Sequence, residues 1–197
     1  MFIISYLLLG CDSNELQKKT PSVGFDILDS SLTNITFNNK LTIKPELNIL
    51  NYLYFYNGAG VSIADFNNDD LPDIFFTGNQ TQNELYINTG NIKFKNITET
   101  AEIPKTHWAT GSTVVDINQD GLMDIYICQV TGLNNQTTHN QLLINQGLDE
   151  NGYPSFANQA QEYGLDISSY GQQAGFFDYD NDGDLDLFLL NHSLHPN

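Results

Sequence analysis

From residue 60 onward the apolar residues come in short clusters, never in long helical stripes. Clusters such as Asp73-I-F-F, Leu85-Y-I and Ile125-Y-I are bounded by Asn, Asp and Gly. Short alternating runs with such punctuation predict strands of about five residues rather than helices. In the first stretch the expected strands are 61–66, 73–78, 84–88 and 94–98. Asn88-T-G and Asn145-Q-G are turn signals between neighbouring strands.

The pattern repeats. Residues 60–79 (GVSIADFNNDDLPDIFFTGN), 111–130 (GSTVVDINQDGLMDIYICQV) and 174–191 (AGFFDYDNDGDLDLFLLN) align on Asp65, Asp116 and Asp178, at steps of 51 and 62 residues. Two of them are followed by a second shared segment, 83–90 (NELYINTG) and 140–147 (NQLLINQG), and then by a Phe-x-Asn strand. Four antiparallel strands per unit at this period match the blade of a β-propeller. The expected class is all-β, a partial propeller with units at 60–106 and 107–170 and an incomplete unit at 171–197. Residues 25–59 contain Ile35-T-F, Leu41-T-I and Tyr52-L-Y-F-Y, expected to form strands of a partial or closing blade. A closed ring takes four or more blades, so the expectation includes further blades in a longer chain.

Composition narrows the function classes. The 197 residues hold 7 Lys and no Arg against 24 Asp and Glu, for a formal charge of −17. Such a chain has little with which to neutralise phosphates, which disfavours a nucleic-acid binder or a polybasic membrane-surface protein. Two cysteines, Cys11 and Cys128, are too few for a disulfide-built scaffold, and Cys128 lies in an apolar run that predicts burial.

Half of the carboxylates fall in three nine-residue windows with the pattern D-x-[D/N]-x-D-[G/D]-x-x-D. Positions 1, 3, 5 and 9 supply side-chain oxygens from Asp65, Asn67, Asp69 and Asp73, then Asp116, Asn118, Asp120 and Asp124, then Asp178, Asp180, Asp182 and Asp186. The carbonyl at position 7 adds Leu71, Leu122 or Asp184. An all-oxygen set with neither sulfur nor imidazole selects Ca²⁺, up to three ions here. An EF-hand needs a Glu at position 12; Phe76, Ile127 and Leu189 stand there instead, within strand-like runs. Gly121 and Gly183 stand at position 6, where the chain must turn sharply; Asp70 occupies it in the first loop.

Together these segments resemble the FG-GAP or VCBS repeats of integrin-like β-propellers. Over roughly residues 50–197 the chain is similar to the amino-terminal part of exported VCBS/FG-GAP lipoproteins of Bacteroidetes, which often end in an ASPIC/UnbV-type domain that has no counterpart here. The resemblance implies Ca²⁺ held between the first two strands of each blade, in the three loops named above. The Phe-Gly-Gly-Ala-Pro stretches of the family are poorly kept; Asn57-G-A-G-V, Ala109-T-G-S-T and Gly171-Q-Q-A-G stand nearest to them.

The amino terminus reads as an export signal. Leu8-L-G-Cys11 resembles a lipobox, with residues 1–11 as signal, Cys11 as the lipidated residue and 12–24 as tether. The apolar stretch is too short to span a bilayer, and it lacks the basic residues of an ordinary signal. His107 with Trp108 reads either as an exposed ligand-binding pair or as a packed strand lead-in; His192 and His195 have a spacing that admits a transition metal or an ordinary loop. No nucleophile-elbow, phosphate-loop or zinc-protease motif is present, so catalysis is not the first reading. The expected function is a calcium-stabilised extracellular module that binds a protein or glycan at the bacterial surface, lipid-anchored to the outer membrane. The alternatives are part of a propeller enzyme acting on envelope polysaccharide, or a structural subunit of an uptake or secretion assembly.

Overall fold

The computed structural model describes residues 24–193. The expected signal, lipobox, Cys11 and His195 lie outside the described residues. No helix among the described residues is long and apolar enough to cross a membrane.

The molecule is built from antiparallel blades. The first blade comprises β1 (Val61–Ala64), β2 (Asp73–Phe76), β3 (Glu84–Asn88) and β4 (Phe94–Asn96), in the order β1-β2-β3-β4. The second comprises β5 (Ala109–Val115), β6 (Asp124–Gln129), β7 (Gln141–Leu148) and β8 (Pro154–Asn158) in the same order. A two-stranded sheet of β9 (Gly171–Phe177) and β10 (Asp186–Asn191) begins a third. The expected four-stranded units are therefore present. The observed β1, β2 and β4 each end two residues earlier than the sequence pattern implied, because loop and side-chain hydrogen bonds take over at their ends.

The alternation sorts residues between faces. Phe75, Leu85, Ile87 and Ile97 point from the first blade into a core shared with Ile125, Ile127, Leu143 and Phe156 of the second. The opposite face of the second blade carries Tyr126, Cys128, Leu142 and Ile144, which meet Ala174 and the partly buried Phe176, Leu187 and Leu189 of the third sheet. Cys128 is a fully buried free thiol, as its apolar run predicts, and burial pushes it up to about 12. The cores lie between neighbouring blades, as in repeat proteins.

The innermost strands approach so closely that a side chain would not fit. A Cβ on Gly60 would lie 2.8 Å from the Thr110 carbonyl oxygen, and one on Gly111 would collide with the Gln172 carbonyl and the Gln173 side chain. These glycines are one repeat apart and play the same part. Polar bonds complete the seam. The Ser62 and Ser112 hydroxyls meet at 2.7 Å; Thr110 Oγ1 donates to the Gly171 carbonyl at 2.7 Å and Thr113 Oγ1 to the Ala174 carbonyl at 2.7 Å.

The segment before β1 corrects one expectation. Residues 25–59 form no strand; they hold one short helix, α1 (Ser30–Thr33), an isolated bridge between Lys44 and Leu47, and turns. Phe37 stacks on Phe76 at 4.7 Å, and the Thr36 N–H donates to the Tyr86 hydroxyl at 3.2 Å, so this segment covers the outer face of the first blade. It is tied down by side-chain amides instead of a backbone ladder: Asn39 exchanges two bonds with Asn79, and Thr42 exchanges two with Gln80. Further along, Tyr52 and Phe55 pack on Trp108 in a small core with Leu47 and Val130. The β-rich composition of 52–56 serves burial in turns, since the backbone bonds locally: the Tyr52 N–H to Asn48, the Phe55 N–H to Tyr52 and the Asn57 N–H to Tyr54.

Gly60→Ala and Gly111→Ala are expected to destabilise the protein by roughly 1–3 kcal/mol each through overpacking of the seam. Gly175→Ala, where no atom lies within 4 Å of the added carbon, should be near neutral. Urea denaturation of the three variants measures the difference.

Candidate functional site

The three aspartate-rich turns connect β1 to β2, β5 to β6, and β9 to β10. They are built alike. The first aspartate accepts two backbone N–H groups from across the turn. Asp65 takes Asp69 N–H at 3.1 Å and Asp70 N–H at 2.7 Å; Asp116 takes Asp120 at 3.1 Å and Gly121 at 3.0 Å; Asp178 takes Asp182 and Gly183, each at 3.2 Å. The fifth-position carboxylate accepts the N–H two residues on: Asp69 from Leu71 at 2.9 Å, Asp120 from Leu122 at 2.8 Å, Asp182 from Asp184 at 3.1 Å. These local bonds are what aspartate does best in a turn.

Two positions in each turn are left-handed. Position 4 is Asn68, Gln119 or Asn181 (φ 55, 59 and 61°), and position 6 is Asp70, Gly121 or Gly183 (φ 65, 84 and 97°). The sequence pattern pointed to position 6. It did not reveal position 4, although Asn in two of the three loops is a residue that tolerates this region.

Position 9 has a task that spacing did not reveal. Asp73 and Asp124 are fully buried. Asp73 accepts the Phe66 N–H at 2.9 Å and the Asn88 N–H at 2.8 Å; Asp124 accepts the Ile117 N–H at 3.1 Å and the Asn145 N–H at 2.8 Å. The carboxylate thus joins the turn to the third strand of its blade. A carboxylate has about four lone-pair sites, so these bonds leave acceptor capacity for a cation. In the third turn Asp186 accepts the Tyr179 N–H at 2.8 Å and is only partly buried.

The shared NELYIN and NQLLIN segments serve the same frame. Asn83 Oδ1 accepts the Gly78 N–H at 2.9 Å, and Asn140 Oδ1 accepts the Gln129 N–H at 2.8 Å, closing the far end of each β2–β3 or β6–β7 pair. Asn88 and Asn145 each cap the following turn by accepting from Gly90 and Gly147 at 2.9 and 3.0 Å.

Charge is the unresolved part of this geometry. Burial pushes the Asp73 carboxyl up to about 6, and the negative charges of Asp69 and Asp65 add to the rise against the pull of its two N–H donors. Asp124 is raised for the same reasons, with Asp120 and Asp116 as its charged neighbours. In the third turn, repulsion from Asp182 raises Asp184, with Asp186 and Asp180 contributing.

The donor set fits a hard cation. Asn67 Oδ1 is buried and has no hydrogen-bond partner, while its amide donates to Asp69 at 2.9 Å. Asp178, Asp180 and Asp186 each present an oxygen within 4.8 Å of the other two. Asn118, Asp120 and Leu122 line an open cavity of about 330 Å³. Every atom offered is oxygen, the chemistry of Ca²⁺ rather than of zinc or copper.

The histidines sort differently. Trp108 is a buried core residue, whereas its neighbour His107 is exposed. His192 Nε2 lies 3.0 Å from the Tyr52 hydroxyl, and its ring packs on Tyr54 at 4.1 Å, which makes it part of the core around Trp108. His139 Nδ1 lies 2.7 Å from the Asp166 carbonyl oxygen.

Two outcomes are expected. Asp124→Ala, measured by urea denaturation with divalent ions chelated, leaves the buried Asn145 N–H and the part-buried Ile117 N–H unpaired and costs roughly 2–4 kcal/mol. The pH dependence under chelation follows from Asp73. Its folded pKa lies above the ordinary value, so its stabilising contribution is complete below about pH 4 and is lost as pH rises through about 6. Thermal melting in chelator should therefore occur at higher temperature near pH 5 than near pH 7.

Comparison with known proteins agrees with this architecture. No curated protein matches the chain. Residues 65–127 match the family model of the FG-GAP-like repeat, from the first aspartate of the first turn to the exit strand of the second. Over residues 65–127 the chain therefore carries an FG-GAP-like repeat, and its two four-stranded antiparallel blades, with a third begun, are of the β-propeller type.

Proposed function

We propose that the protein is a calcium-stabilised binding and scaffold module exported to the bacterial surface. The observation that carries the calcium reading is the buried, partnerless Asn67 Oδ1 in the same turn as Asp73, whose proton affinity is raised by burial and by the charges of Asp69 and Asp65. Asp65, Asn67, Asp69, Asp73 and the Leu71 carbonyl would hold the first ion. Asp116, Asn118, Asp120, Asp124 and the Leu122 carbonyl would hold the second, and Asp178, Asp180, Asp182, Asp186 and the Asp184 carbonyl the third. A bound divalent cation offsets short-range carboxylate repulsion, and binding to the folded state alone adds to stability.

The residues of the chain then keep the blades in register. Asp73 and Asp124 hold each turn to the third strand, and the seam glycines hold blade to blade. Loops and faces fixed in this way suit recognition of a surface or secreted protein or a glycan, with further blades of a longer chain as structural partners. Lipidation at Cys11 would tether the module to the outer membrane; the apolar run before Cys11 supports that reading.

Calcium titration followed by calorimetry and thermal melting tests the proposal. The expected result is a rise in melting temperature with Ca²⁺, a much smaller rise with Mg²⁺, and loss of one site each in Asp120→Ala and Asp182→Ala. A melting curve unchanged by exhaustive chelation, or unchanged stoichiometry in both variants, overturns it.

A further inference from the structure

We propose, building on the binding-module reading, that a groove at the opposite end of the blades from the aspartate turns binds a short acidic saccharide. β1 and β5 run into those turns, and β2 and β6 run out of them. The β2–β3 connection, the β6–β7 connection and the chain entering β5 consequently meet at the other end. With residues 40–47 they enclose a cavity of about 450 Å³. A second cavity of about 420 Å³ shares Lys105, His107 and Thr138 with the first, so the two form one groove. These volumes lie within the ordinary range of small-ligand sites.

The charge of this groove runs against the rest of the molecule. The chain has 7 Lys and no Arg against 24 acidic residues. Lys40, Lys44 and Lys105 all line the first cavity, and no Asp or Glu does. None of the three lysines forms an ion pair among the described residues, where the single ion pair is His139 with Asp166 at 3.9 Å. Asp166 is also the one carboxylate that lines the second cavity. Three ammonium groups in a carboxylate-free pocket of a strongly acidic protein are arranged for an anion.

The remaining wall chooses among anions. It is rich in amides and hydroxyls, and three of its polar atoms are buried without partners: Thr106 Oγ1, Thr138 Oγ1 and Gln141 Oε1. Buried polar atoms are normally paired, and unpaired ones beside a cavity call for a ligand rich in hydroxyls or for ordered water. Loops rather than an open strand edge form the walls, which removes the backbone pairing by which an extended peptide docks. The overall charge of −17 repels long polyanions, so the site suits a short sugar bearing a carboxylate or a sulfate.

Isothermal titration calorimetry of the full chain in calcium-containing buffer tests this with four probes: digalacturonate, sulfated lactose, maltose and triglutamate. One-site binding of digalacturonate or sulfated lactose, weakened by added salt, is expected, and the two arms decide between carboxylate and sulfate. Lys44→Gln with Lys105→Gln should weaken that binding about tenfold or more, while Lys93→Gln, outside the groove, leaves it unchanged. Failure of both acidic sugars to bind, binding of maltose or triglutamate as tight as that of the acidic sugars, or indifference to the lysine changes overturns the proposal. Calcium-dependent melting of the same sample separates this failure from failure of the scaffold reading.

Discussion

The buried aspartate at the end of each complete turn is the interaction on which the blades depend. Asp73 and Asp124 each satisfy one N–H of the turn and one of the third strand. A blade whose first two strands were joined only by a surface loop would have nothing to set the loop against the sheet. Placing a carboxylate there solves the geometric problem and creates an electrostatic one. The group is desolvated and faces two further aspartates, which is why its proton affinity rises. The acidic turn and the stable sheet are one structure viewed from two sides, and the proposed cation would reconcile them.

The blades themselves meet through a seam that is part apolar and part polar. Isoleucine, leucine and phenylalanine supply the shared core on one side. Near the inner strands, where backbones are closest, the contact passes to glycine and to hydroxyl bonds across the gap. This division has a physical cause. Inner strands converge, so volume must fall toward them, and the backbone groups exposed there need partners that small residues can provide. The segment before β1 follows the same logic on the outer face of the first blade, where Phe37 and the amide pairs of Asn39 and Thr42 take the place of a sheet neighbour.

The two ends of the blades differ in chemistry. One carries the three turns with half of all the carboxylates; the other gathers three of the seven lysines around a polar groove. Strand direction enforces this separation. A residue just after β1 and one just after β2 must lie at opposite ends of an antiparallel sheet, so residues close in sequence are sorted to opposite ends. The arrangement keeps the groove's ammonium groups away from the carboxylates that would otherwise neutralise them.

Periodicity and turn chemistry made the repeats legible: the spacing of Asp65, Asp116 and Asp178, the NELYIN and NQLLIN strands, the strand order within each blade, and the left-handed sixth position were all visible locally. Burial of Cys128 was visible too, from its apolar run. The same signals misled at 25–59, because aromatic and β-branched residues look alike whether they pair in a sheet or pack in turns over another sheet's face. Three features required the folded chain. The double role of Asp73 and Asp124 depends on an N–H that arrives from the third strand, 15 or 21 residues later. The seam glycines acquire meaning only when the next blade lies against them. The lysine groove collects residues from five separate segments, none of which carries a motif. Local sequence determines which turns and strands can form, since those rest on bonds between near neighbours; which charges and backbones meet is decided by packing between segments, and that information is present only in three dimensions.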